Sequence, residues 1–77
     1  MIKIYSTPTC PYCEMTKEYF KELNLEYEDY DVTQDEKAQE EMIAKSHQLG
    51  VPVIDIDGTI IVGFNKEAID KALKKEL

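Results

Sequence analysis

The chain has 77 residues, enough for one domain, 1–77, with one modest core; a domain of that size buries roughly 60% of the surface its unfolded chain exposes. It carries nine basic residues, all of them lysine, against sixteen acids, for a net charge of −7. That balance argues against a nucleic-acid partner, which requires a basic surface. No apolar run reaches membrane-spanning length. Lys3, Glu14 and Glu18 interrupt any apolar leader, so the residues predict a cytoplasmic chain with no membrane partner.

Ile2, Ile4 and Tyr5 predict a short first strand, and Ser6 to Thr9 a loop broken at Pro8. A helix is predicted from Pro11 to about Asn24. Pro11 suits a first helical position, where a missing N–H costs nothing. Tyr12, Thr16, Tyr19, Phe20 and Leu23 recur at three- and four-residue spacing and predict its inward face. Glu26 to Val32 reads as a second strand, whose acids suit a solvated sheet edge. Thr33 with Glu36 three residues later matches a capping box. The helix it opens runs to about His47, with Ala38, Met42 and Ile43 inward and Gly50 beyond its end.

Val51 to Ile56 and Thr59 to Val62 are β-branched runs joined by Asp57-Gly58, a strong hairpin signal because both turn residues need positive φ. Asn65 can cap a last helix, with Ile69, Ala72 and Leu73 as its buried stripe. Lys71, Lys74 and Lys75 fall near its C-terminus, where cations are favoured. The order β-α-β-α-β-β-α predicts an α/β fold with a four-stranded mixed sheet and three helices. Its first βαβ unit should be parallel and right-handed.

The chemistry sits at Cys10 and Cys13, the only cysteines. A strand that delivers Cys-x-x-Cys into the first turn of a helix suits thiol–disulfide exchange. The thiolate is the reacting form, and the unpaired N–H groups at a helix N-terminus favour an anion. Cys13, one turn further on, is placed to attack a mixed disulfide at Cys10. Two other uses are weaker. A structural bridge across so short a loop removes little chain entropy. A zinc site normally needs four ligands, and the chain offers one histidine, His47, and no second cysteine pair. His47 itself suits a surface or capping role near a helix end, and Lys17 and Lys21 suit solvent.

Pro8-Thr9-Cys10-Pro11-Tyr12-Cys13 resembles the active-site stretch of dithiol glutaredoxins. Val51-Pro52-Val53 occupies the place of that family's cis-proline segment, and Gly63 the place of its glycine turn before the last helix. The similarity runs along the whole chain in order. It implies a thioredoxin-like (glutaredoxin) fold, with Cys10 attacking and Cys13 resolving as a redox-active pair. It also implies a cis Val51–Pro52 bond beside the cysteines, turning the Val51 N–H and C=O outward to pair with an extended substrate. Thr9, Pro11, Tyr12, Val51, Pro52, Gly63, Phe64 and Asn65 are then the candidate substrate- or glutathione-binding residues.

The implied activity is a dithiol–disulfide oxidoreductase acting on disulfide-bearing or glutathionylated proteins in cell redox homeostasis and electron transport. The chain is expected to be a monomer with no bound cofactor or metal. Glutathione, as co-substrate, and thioredoxin reductase are the two candidate reductants. Glutathione-using members usually carry a lysine where this chain has Thr7, and a Gly-Gly pair where it has Gly63-Phe64-Asn65-Lys66. The latter run looks more like the redoxins that serve ribonucleotide reductase and draw on thioredoxin reductase, although those usually lack the Pro-Tyr pair. A different class of function, a metal or iron–sulfur carrier holding its cargo through Cys10, is the alternative.

Overall fold

A computed structural model describes residues 1–76, with side chains described through Lys74. The elements are β1 (Ile2–Ser6), α1 (Pro11–Glu22), β2 (Glu28–Asp31), α2 (Glu36–Ser46), β3 (Val53–Ile56), β4 (Thr59–Val62) and α3 (Lys66–Glu76). The sheet order is β2-β1-β3-β4. β1 runs parallel to β2 and antiparallel to β3, and β3 and β4 form the antiparallel hairpin. Asp57 and Gly58 at its turn have φ of 47° and 98°, as the Asp-Gly signal requires. The mixed sheet and three helices match the predicted class.

Alternation along the two inner strands builds a core on each face. Ile2, Ile4, Ile54 and Ile56 face α1 and α3, packing with Phe20, Ile69 and Ala72. Tyr5 and Val53 face the other way, toward Ala38 and Met42 of α2 and Val32. A one-residue slip of β1 or β3 would exchange these sets, so burial fixes the register.

Several sequence expectations are corrected in detail. Thr33 does not cap α2. Its N–H and hydroxyl both donate to Asp31 Oδ1, at 2.9 and 2.5 Å, so the chain turns there before the helix begins. The cap falls to Asp35, whose Oδ1 accepts from the Ala38 N–H at 3.1 Å. Ile43 points outward, and Tyr12 on α1 and Leu23 just past its end are exposed, the buried positions of α1 being Cys13, Thr16 and Phe20. β3 starts at Val53 rather than Val51, since Pro52 has no N–H to give a ladder, and β2 is shorter than Glu26 to Val32 at both ends. α1 stops at Glu22, with Asn24 just beyond in the left-handed region at φ 56°. Asn65 does cap α3, accepting from the Ala68 N–H at 3.1 Å. Lys71 and Lys74 are exposed on α3, and the side chain of Lys75 lies outside the described residues.

One polar group on the α2 face is held by its neighbours. β3 alternation turns Asp55 toward α2, where Lys45 Nζ approaches its Oδ2 at 2.7 Å and donates to the Tyr5 hydroxyl at 3.0 Å. Tyr5, fully buried, donates onward to Glu41 at 3.2 Å. The Gly58 N–H occupies Asp55 Oδ1 at 2.8 Å, which ties the hairpin turn into the same network. Burial pushes the Asp55 carboxyl up, but the Lys45 and Gly58 hydrogen bonds outweigh it and hold it below the ordinary aspartate value.

A carboxyl with a depressed folded pKa stabilises above its unfolded pKa and loses that contribution as pH falls through the folded one. Stability from urea titrations should therefore drop as pH is lowered below about 4. Asp55→Asn should cost about 1–3 kcal/mol at neutral pH, because it leaves the Lys45 ammonium unpaired. It should also flatten part of the acid limb; an unchanged pH profile in the variant would show that Asp55 does not carry it.

Candidate active site

The chain leaves the end of β1 through Thr7, Pro8 and Thr9 and enters α1 at Cys10, which caps the helix with extended backbone, φ −102° and ψ 109°. In the cap position its Sγ accepts the Cys13 N–H at 3.2 Å, the kind of donor a thiolate needs. Pro11 takes the first helical position, as its missing N–H predicts. Thr16 bonds back to the Tyr12 carbonyl at 2.8 Å, and the Tyr12 side chain is left 61% exposed beside the cysteines.

The two cysteines, both free, stand in different surroundings. Cys10 is partly open to solvent, whereas Cys13 is 1% exposed. Burial pushes the Cys13 thiol up to about 12, aided by its hydrogen bond to Cys10 and the neighbouring Cys10 charge. A backbone contact from Thr7 and the charge of Lys17 act in the opposite direction without prevailing. Burial thus favours the protonated form of the Cys13 thiol.

The Val51–Pro52 bond is cis, and the Val51 carbonyl lies 3.9 Å from Cys10 Sγ. Pro52 is buried, and its carbonyl accepts the Gly63 N–H at 2.8 Å. Gly63 has φ 82°, a conformation that suits glycine. The fold thus gathers Cys10, Cys13, Val51, Pro52 and Gly63, with Thr9, Pro11 and Tyr12 exposed around the helix start. Phe64 is half-buried, packing on the core and edge-on to Tyr19 with centroids 6.0 Å apart. The Asn65 carboxamide is engaged in capping α3. Lys66 lies over the Tyr19 ring, Nζ 5.1 Å from its centroid, and the Tyr19 hydroxyl donates to Asp70.

Asp29 is exposed on the edge strand, as its sequence context predicts, but Lys17, expected in solvent, is not free: four residues after Cys13 on α1, it pairs with Asp29 at 2.8 Å, and Ser6 donates to the other Asp29 oxygen at 2.8 Å. Burial opposes the Lys17 charge, but the bond to Asp29 and the nearby anions outweigh it and raise its pKa. The i, i+4 spacing from Cys13 was the available signal. Gln48, which ties the loop before Val51, was also missed.

Among the described residues, no group of three or more His, Cys, Asp or Glu side chains is placed to hold a metal ion. No helix among them is long and apolar enough to cross a membrane. A groove of about 490 Å³ lined by Ile2, Leu23, Leu25, Ile56 and Leu73 opens where β1 begins, at the end of the sheet away from Cys10.

Alkylation follows from the contrast between the two thiols. Brief treatment of the reduced protein with iodoacetamide at neutral pH should label Cys10 well before Cys13, read by peptide mass spectrometry. Faster labelling of Cys13 would reverse their roles.

The profile of one protein family, glutaredoxin, matches residues 2–61. A glutaredoxin-like 8.6 kDa protein from the rubredoxin operon of Clostridium pasteurianum, itself uncharacterized, is 61% identical over 75 residues, 97% of this chain and 100% of that one. Glutaredoxin 3 of Escherichia coli K12 is 32% identical over 62 residues, 80% of this chain and 75% of that one. The crystal structure of a thioredoxin-like protein, 32% identical, superposes with a TM-score of 0.87 over 94% of this chain and 99% of that one.

Proposed function

The chain belongs to the glutaredoxin family, a family of thiol–disulfide oxidoreductases, and from that premise we propose that it reduces protein disulfides or glutathionylated proteins through the Cys10/Cys13 pair. The observation that carries this reading is the asymmetry of the pair: an accessible sulfur capping a helix, and a buried thiol one turn behind it.

The Cys10 thiolate attacks one sulfur of the substrate disulfide. A Cys10–substrate disulfide forms, and the other substrate sulfur leaves as a thiolate that takes up a proton. Cys13 then gives up its proton and attacks Cys10 Sγ, forming the Cys10–Cys13 disulfide and releasing the second substrate thiol. Two electrons and two protons have passed to the substrate, and an external dithiol or enzyme reductant returns them to the pair. The high value of the Cys13 thiol keeps it from competing in the first step. As the mixed disulfide forms, the charge on Cys10 that raised Cys13 is removed, which favours its deprotonation for the second. The protein works on this reading as a cytoplasmic monomer.

The division of labour is tested directly. Cys10→Ser should abolish exchange. Cys13→Ser should accumulate a mixed disulfide on Cys10, visible as a mass shift, and lose reduction of protein disulfides. Full protein-disulfide reduction by Cys13→Ser would sink the two-cysteine mechanism.

For the reductant, thioredoxin reductase is the proposed source, with ribonucleotide reductase among the candidate acceptors. Thr7 brings no charge to a glutathione carboxylate, the chain has no arginine, and its net charge of −7 opposes an anionic ligand. Lys66 is held over Tyr19, and Asn65 caps α3. Replacing one charge-assisted contact by a neutral one costs on the order of 1 kcal/mol. Turnover should therefore be sustained better by NADPH with thioredoxin reductase than by glutathione with its reductase. Thr7→Lys should improve the glutathione rate in low salt. Efficient glutathione turnover that Thr7→Lys leaves unchanged would assign glutathione as the reductant.

A further inference from the structure

The segment that carries Val51 into the site contains a glycine, Gly50, immediately before it, and glycine is the residue with the most backbone freedom to lose. Left loose, it would let the Val51 backbone wander, although that backbone faces Cys10 from 3.9 Å. The structure removes this freedom with one side chain. Gln48 Oε1 accepts the Gly50 N–H at 2.5 Å, while Gln48 Nε2 donates to the Gly50 carbonyl at 3.0 Å. The same Nε2 reaches Ser46 Oγ at 3.2 Å, and Ser46 donates to the Met42 carbonyl at 2.6 Å inside α2.

The carboxamide thus ties both polar groups of Gly50 to the end of a helix. A Cβ on residue 50 would stand 2.6 Å from Gln48 Oε1, so the clasp as formed needs a glycine here. On the far side of the cis bond, the Gly63 N–H holds the Pro52 carbonyl at 2.8 Å. Val51 sits between two fixed neighbours. Among the described residues its own N–H makes no hydrogen bond, and its carbonyl meets only Cys10 Sγ.

We propose that Gln48 is a positioning residue for substrate: by clasping Gly50 it presents the Val51 N–H and C=O in one orientation, and so selects extended polypeptide disulfides over small organic ones. An extended chain has backbone donors and acceptors to pair with Val51 as an added strand does, and pre-ordering Val51 spares it the cost of ordering the loop. A small disulfide without a peptide backbone gains nothing from the clasp. This rests on the disulfide-reductase reading above.

The experiment is single-turnover reduction by the pre-reduced protein, which needs no external reductant. One substrate is the disulfide dimer of an extended ten-residue peptide, self-quenched by a fluorophore on each half; the other is bis(2-hydroxyethyl) disulfide. Gln48→Ala should raise the half-saturating peptide concentration about three- to tenfold, with the maximal rate and the small-disulfide rate unchanged. Gly50→Ala should do the same by forcing the clasp open. The double variant should be no worse than either single one, since both remove the same interaction.

Unchanged half-saturation in Gln48→Ala, or independent additive effects of the two substitutions, overturns the proposal. Equal slowing on both substrates does so as well, since it would mean a general disturbance of Cys10. If Gln48→Ala does not fold, Gly50→Ala and Gln48→Glu, which keeps the acceptor for the Gly50 N–H and loses the donor, give the same reading. A wild-type protein that reduces neither substrate overturns the reductase reading itself, and this outcome is distinct from all the others.

Discussion

The pairing of β1 with β3 is the constraint on which the site depends. Tyr5 stands opposite Val53 in this antiparallel register. The chain leaving β1 toward Cys10 and the chain arriving at β3 from Val51 therefore lie side by side at the same end of the sheet. No contact between Cys10 and Val51 needs to be strong for this to hold; burial of Ile4, Tyr5, Val53 and Ile54, all fully inside, sets it. A two-residue shift would preserve the faces but carry Val51 about 7 Å along the strand and away from the sulfur. The β3–β4 hairpin extends the same logic: Val53 opposite Val62 brings Gly63 to the Pro52 carbonyl. Three sequence-distant segments meet because adjacent strands are in register.

The two faces of the sheet solve the placement of charge differently. On the α2 face Asp55 is nearly buried and must be paired, so Lys45 folds over Tyr5 to reach it. Near the cysteines, Asp29 of the outer strand is joined by Lys17 and Ser6. Among the described residues no buried side-chain nitrogen or oxygen lacks a partner, as the high cost of stranding one demands. On the outer strand β2, Glu28 and Asp29 are exposed, and such charge gives the edge little tendency to pair with another chain.

The two cysteines show how position alone separates chemically identical groups. Cys10 lies outside the helix, caps it and keeps an open side. Cys13 lies within it on the face that also buries Thr16 and Phe20, and the same burial that stabilises α1 raises its thiol. Core packing and redox asymmetry are in this sense one property. The helix cannot be rotated to expose Cys13 without withdrawing Phe20 from a fully buried site.

Much of this was legible in the residues because it is local. The Cys-Pro-Tyr-Cys spacing, Pro11 at a helix start, the Asp57-Gly58 turn and the Asn65 cap all act within four residues, and the β-α-β-α-β-β-α order follows from periodicity. The misreadings were places where two local signals competed or where a distant partner decided. Thr33 looked like a cap until Asp31 captured it, and Ile43 looked inward though α2 needs only Ala38 and Met42 to cover its face. Lys17 looked solvated because Asp29 reaches it only once β2 lies beside β1. Gln48 carried no signal at all, since its bonds to Gly50 depend on the path of the loop after α2. The sequence by itself determined the elements and the reactive pair. Only the tertiary structure decided which charges are paired and what holds Val51, because those depend on strand register, and register is set by burying both sheet faces at once.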